Sequence, residues 1–248
     1  MPATMPGTLH YALQKLGKID DPYDGRNELD VQWIDQQDWE LARTVRATPA
    51  DCQRARQELV FDGLDTVATV YLNGKKVGRS VNMFRQVVCD VSGALVPGDN
   101  ELRVHLESPT AYAARETRRH AQSVSKRPDF VWQTGERRLQ GREWIRKVQC
   151  HFGWDWGLYL ATSGIWQPAR LECSDAPRIA AVKTRQTHRV AGGGTKEKPS
   201  TVELSITTYL ASTLPQRGRL TLRCGGQEVT VRTRLHPGEN RVTAELTL

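Results

Sequence analysis

The stretch "TVATVYLNGKKVGRS", residues 66 to 80, constrains the fold more than any other. β-Branched residues and Tyr71 run into Asn73-Gly74, and the chain then returns. A two-residue type I′ turn needs φ > 0 at both central positions, which makes Asn-Gly between such runs a strong hairpin signal. A second hairpin is expected in "LTLRCGGQEVTVRT", residues 220 to 233, turning at Gly225-Gly226. Each is followed by the same punctuation, "VPGDNELRVHL" (96 to 106) after the first and "HPGENRVTAEL" (236 to 246) after the second. In both, Pro-Gly sets a turn and an alternating strand follows. A unit that occurs twice predicts two β-sandwich modules in place of one long sheet.

The boundary falls in "LECSDAPRIAAVKTRQ", where one strand ends near Cys173 and Pro177 precedes a new alternating run. "VAGGGTKEKPS" (190 to 200) reads as a flexible hairpin loop inside the second module. Helix is scarce. "GTLHYALQKLGKI" (7 to 19) places Leu9, Ala12, Leu13 and Leu16 at helical spacing, with Thr8 as N-cap and Gly17 as stop. A second short, exposed helix is expected around residues 111 to 123.

Charge and cysteine usage narrow the function classes. The formal charge is +7, and between Arg115 and Lys147 ten Lys or Arg stand against four acids. Such a run is a solvated loop or helix face, or else a nucleic-acid surface. The segment lacks the repeated aromatics of a single-strand binder, so nucleic acid is not the expected partner. Five cysteines at 52, 89, 150, 173 and 224 show no CxxC spacing, which argues against a metal site or a disulfide framework. No cofactor is expected. No apolar run approaches the ~20 residues that span a bilayer, and the start lacks the apolar core of a signal peptide.

The chemistry concentrates in "CHFGWDWG", residues 150 to 157. In a regular strand, Cys150, Phe152, Trp154 and Trp156 would share one face, and His151, Gly153, Asp155 and Gly157 the other. Two readings follow. The three aromatics are sandwich core, or they form a shelf beside the lone acid Asp155, with glycines marking a bulge or the approach of a ligand. Aromatic rings beside a carboxylate suit a sugar, whose C–H face lies on a ring while its hydroxyls donate to the carboxylate.

Taken together, "GLDT" with "VYLNG" (63 to 74), "FGWDWG" (152 to 157) and "GIWQPARLE" (164 to 172) closely resemble the N-terminal part of the β-mannosidases of glycoside hydrolase family two. The resemblance covers residues 5 to 173 in continuous order, and the second module looks like the start of an immunoglobulin-like domain. "FGWDWG" with "GIWQPARLE" is its most specific part. "GLDT…VYLNG" is shared with β-galactosidases and β-glucuronidases and does not settle the sugar. The resemblance implies an all-β chain with a jelly-roll, galactose-binding-like β-sandwich over residues 1–174. An incomplete immunoglobulin-like β-sandwich would occupy 175–248.

In that family a TIM barrel follows and carries two catalytic glutamates of a retaining glycosidase. A barrel needs ~250 residues, so both glutamates are expected to lie outside this chain, which by itself is expected to be inactive. The family's first strand, with a W-x-L pattern, is also expected to lie outside this chain, and a missing strand would expose a sheet edge. By resemblance, Trp154, Asp155 and Trp156 reach into the barrel's pocket and bind the −1 mannose. Asp155 would accept from sugar hydroxyls, and Trp154 would serve as a wall or an indole donor. Sharing that role would require a bend or bulge at Gly153 or Asp155. A regular, flat strand through 152 to 156 would count against it.

Asn27, Arg146 and His151 are further pocket-lining candidates, each with a bland alternative: an Asx turn, a domain interface and a hydrogen-bonded packing histidine. Lys147 would pair with a pocket carboxylate or sit at an interface. Trp33, Trp39 and Trp166 read as core or interface anchors. The expected partner is a β-mannoside or manno-oligosaccharide. A stand-alone carbohydrate-binding module is the alternative, and nucleic-acid binding through residues 115–147 ranks last.

Overall fold

The computed structural model describes residues 1–120, 141–189 and 201–248. It divides into two compact units, Met1–Gln53 with Gln57–Cys173, and Arg54–Arg56 with Ser174–Leu248. The expected loop at 190 to 200 and much of the basic segment 115–147 lie outside the described residues.

The first unit contains β1 (Trp39–Ala47), β2 (Arg56–Phe61), β3 (Leu64–Asp65), β4 (Val67–Leu72), β5 (Lys75–Val81), β6 (Val87–Asp90) and β7 (Gly98–Leu106). The short strands β8 (Phe152–Trp154), β9 (Gly157–Tyr159), β10 (Gly164–Ile165) and β11 (Ala169–Ser174) complete it. A four-stranded antiparallel sheet in the order β1-β7-β4-β5 is accompanied by a three-stranded sheet, β11-β2-β6, and by the pairs β3-β10 and β8-β9. Period two decides which side chains face inward. Along β7, Asn100, Leu102, Val104 and Leu106 are buried while Glu101 and His105 alternate with them. Leu102, Val104 and Leu106 meet Val70 and Leu72 of β4 and Leu59 and Phe61 of β2 in one core. Each such side chain contributes about 1.5–3 kcal/mol on burial.

The hairpin between β4 and β5 turns at Asn73 (φ 50°) and Gly74 (φ 76°), the type I′ geometry its sequence demands. Helix α1 (Leu9–Lys15) is capped by the Thr8 hydroxyl, which accepts from the Tyr11 amide at 3.2 Å. The other helices are α2 (Asn27–Asp30), α3 (Pro49–Cys52) and α4 (Pro109–Arg119). Trp39 and Trp166 anchor loops through their indole N–H groups, donating to the carbonyls of Ile34 at 2.8 Å and Met83 at 3.1 Å. Trp33 stays 38% exposed.

Strand β1 pairs with β7 alone among the described residues, and its free edge borders a cavity of about 890 Å³ lined by Leu41, Val45, Leu59, Phe61 and Leu171. Exposed Arg43 and Arg46 on that strand place charge where edge-to-edge pairing would otherwise be easy.

The second unit contains β12 (Arg178–Arg189), β13 (Thr201–Ser212), β14 (Gln216–Cys224), β15 (Gln227–Leu235) and β16 (Gly238–Thr247). A three-stranded sheet, β12-β13-β16, is joined by the hairpin β14-β15, which turns at Gly225-Gly226. Two small clusters make its core, Leu204, Ile206 and Leu246 in one, Leu210, Leu235 and Val242 in the other. No described helix is long and apolar enough to cross a membrane.

Candidate functional site

Residues 150 to 156 do not form the regular strand on which the two-face reading depends. A 3₁₀ turn at Gln149–His151 leads into β8, the chain reverses at Asp155-Trp156, and β9 returns, with Phe152 opposite Tyr159 and Trp154 opposite Gly157. Neither Asp155 nor Trp156 has positive φ. Gly153 does, at φ +88°, in the left-handed region that an L side chain rarely adopts. A Cβ there would also lie 3.4 Å from the Tyr159 ring.

The reversal separates the aromatics. Phe152 and Tyr159, 5% and 6% exposed, sink into a cluster with Val67, Ala113, Ile145 and Ala161 and root the hairpin. Trp154 is 46% and Trp156 73% exposed, and Asp155 stands exposed between them. The core reading therefore holds for Phe152 and fails for both tryptophans. Asp155, the one acid between Glu143 and Glu172 in the sequence, offers acceptor oxygens at the tip.

Beneath the hairpin lies a buried ionic cluster that sequence reasoning did not assemble. Lys147 and Asp65, with side chains 0% and 1% exposed, face each other, Nζ lying 2.6 Å from Oδ1 and 2.5 Å from Oδ2. Lys147 also donates to the Thr162 hydroxyl at 3.1 Å, and Thr162 donates to Asp65 Oδ2 at 2.8 Å. Thr162 Oγ1 is 3.0 Å from His151 Nδ1. With the hydroxyl proton committed to Asp65, the His151 contact is completed by a proton on Nδ1, which leaves Nε2 an acceptor. Burial pulls the Lys147 ammonium below its usual range, and the Asp65 carboxylate opposes that pull.

Burial first, then the Lys147 charge, lowers His151 to about 4, with Asp65 opposing. His10 on α1 is lowered to about 4 by burial, then by Lys147 and His151, and its Nδ1 is buried with no hydrogen-bond partner among the described residues. Both imidazoles are thus neutral at pH 7. His151 accordingly takes the hydrogen-bonded packing position, one strand before the tip.

The remaining candidates make local contacts. Arg146 is exposed, and its backbone carbonyl accepts from the Met83 amide at 3.0 Å. Asn27 is half-buried and donates to the Asp21 carbonyl at 2.9 Å within its own loop. Gln32, in the turn after that helix, donates to the Tyr159 carbonyl at 2.8 Å and the Glu28 carbonyl at 2.7 Å. Gln32, Thr162 and His10 carried no motif signal. Asp65 carried one, an acid inside the apolar run "VFDGLDTVATV". Among the described residues no group of three or more His, Cys, Asp or Glu is placed to hold a metal ion.

The family model described as glycosyl hydrolase 2 galactose-binding domain-like matches residues 1–167. The β-mannosidase of Bos taurus is 38% identical over 173 residues, 69% of this chain and 19% of that protein. The β-mannosidase of Rattus norvegicus is 31% identical over 223 residues, 90% of this chain and 24% of that protein. The crystal structure of β-D-mannosidase from Dictyoglomus thermophilum superposes with a TM-score of 0.79 at 29% identity, covering 99% of this chain and 28% of that one. An exo-chitosanase from Amycolatopsis orientalis, TM-score 0.65 at 16% identity, shares the fold. The chain thus spans about a fifth to a quarter of the length of the curated relatives it matches. By its matched domain and by relatives that are β-mannosidases, this chain belongs to glycosyl hydrolase family 2.

Proposed function

We propose that this chain supplies one wall of the −1 mannose subsite of a β-mannosidase acting on terminal β-mannosides. The observation that carries the reading is the β8–β9 tip, where Trp154, Asp155 and Trp156 are exposed while Phe152 and Tyr159 are buried at its root. A sugar's C–H face would lie on an indole, and its hydroxyls would donate to Asp155. The two carboxyls of a retaining mechanism, one acid and base and the other nucleophile, would come from a barrel domain beyond these residues. His151, neutral and tied to Thr162, acts in this reading as a brace for the tip and not as a proton donor.

The test is calorimetric titration of the chain with mannose and manno-oligosaccharides beside an assay with an aryl β-mannoside. Weak binding that Asp155→Ala abolishes, with no turnover, is the expected result. Turnover that persists after contaminating enzymes are removed would refute the assignment of both catalytic carboxyls elsewhere. The exposed tip also suits a stand-alone carbohydrate-binding module, which predicts binding to mannan as firm as that of a dedicated surface site.

A further inference from the structure

The hairpin β14-β15 has two unlike faces. On one, half-buried Leu220, Leu222, Val229 and Val231 pack toward β13 and β16. On the other, the register sets Arg217 opposite Arg234 and Arg219 opposite Arg232, all four exposed. Next along the same face, the Thr221 and Thr230 hydroxyls meet at 3.0 Å, and Arg223 donates to Glu228 at 2.5 Å. The charge is therefore compensated at the turn and uncompensated at the open end, where none of the four arginines pairs with a carboxylate among the described residues.

Like charges directly opposite each other on a sheet destabilise it. Folding does not account for two such pairs in succession, whereas an external anion does. The surplus extends through the unit. Residues 174–248 carry twelve Lys or Arg against six acids, a surplus as large as that of the segment 115–147.

The chemistry of the face selects among polyanions. It presents Arg, Thr and one Glu and no apolar side chain, so it lacks the apolar centre of a protein–protein interface. It has no aromatic ring on which a base could stack. It does offer two rows of arginines, whose backbone positions are about 6.8 Å apart along each strand and about 5 Å across. Their guanidinium forks suit planar or tetrahedral oxyanions along an extended chain.

We infer that this face binds an acidic polysaccharide through its carboxylate or sulfate groups, held by Arg217, Arg219, Arg232 and Arg234. The preference for a polysaccharide over duplex DNA rests in part on the carbohydrate reading of the first unit. The site itself is independent of the β8–β9 tip.

The test is titration of the full chain with polygalacturonate, dextran sulfate and duplex DNA across a salt series. The variants are Arg219→Thr/Arg232→Thr and a control of equal charge, Lys183→Thr/Arg185→Thr, whose residues pair with Thr207 and Ser205 on the other sheet. Both polysaccharides are expected to bind more tightly than DNA, or one of them to do so, which separates carboxylate from sulfate recognition. The Arg219/Arg232 variant should lower the log–log salt slope by about two and the control should leave it unchanged. Its melting temperature should stay level or rise, since a like-charge pair has gone, which excludes misfolding as the cause of lost binding. Equal losses in the two variants, tighter binding of DNA, or no binding at low salt would each overturn the inference. Asp155→Ala should leave polyanion binding intact, so failure at the mannose tip and failure here are read separately.

Discussion

The hairpins β8-β9 and β14-β15 share a plan, two strands and a two-residue turn, and handle charge in opposite ways. Under β8-β9 a lysine and an aspartate are fully buried together, and the tip above them is free of ion pairs among the described residues. On β14-β15 nothing charged is buried, and the arginines crowd one solvent face. A buried ion pair needs near-ideal geometry from several elements at once, so it fixes position. An exposed row of like charges fixes little and attracts much. The first hairpin is built to hold three side chains in place, and the second to present a field.

Lys147→Met strikes at the first half of that contrast and should have the largest effect. It leaves Asp65 buried and unpaired, so stability should fall by about 3–5 kcal/mol in urea denaturation. Lys147→Met/Asp65→Leu should recover much of the loss. A single-variant loss below about 1 kcal/mol would show that the pair does not brace the hairpin.

A smaller effect is expected from pH. His10 and His151 titrate near 4 when folded and near 6.5 when unfolded, so between those values the unfolded chain binds more protons. Stability is complete above pH 6.5 and falls as pH drops toward 4. The titration should be read against Lys147 and Asp65, which face both imidazoles. Urea midpoints measured from pH 7 to 4.5 should decline less in His151→Gln than in the parent. A flat parent curve would remove the burial of the imidazoles from the account.

Trp156→Ala should have the smallest effect on stability, within about 0.5 kcal/mol, because the side chain is 73% exposed. Together with an unchanged circular dichroism spectrum, this would separate the tip from the root. A loss comparable to that of a core residue would return Trp156 to the core reading.

What the sequence disclosed was local chemistry. Asn73-Gly74 and Gly225-Gly226 carry their turn geometry in their own φ preferences, and Thr8 caps the helix that begins one residue later. The reversal at Asp155-Trp156 was illegible because neither residue takes the positive φ that marks a hairpin turn, while Gly153 adopts it earlier in the strand. Lys147 and Asp65 lie 82 residues apart, and no periodicity joins them. Asp155 and its tryptophans were found through a family resemblance, and their exposure came from the fold.

One further feature crosses both units. Asn100 accepts from the Val96 amide at 2.9 Å and donates to the carbonyls of Val96 at 2.8 Å and Gly98 at 3.1 Å. Asn240 makes the same three bonds, at the same lengths, to His236 and Gly238. Each pentapeptide closes on itself through one side chain and asks nothing of its surroundings for those bonds. Asn100 Oδ1 also accepts from Asn73 Nδ2 at 2.8 Å, at the β4–β5 turn. A chimera that exchanges "VPGD" and "HPGE" and keeps each asparagine should therefore retain both junctions, giving protein engineers a ready-made connector between sandwich strands.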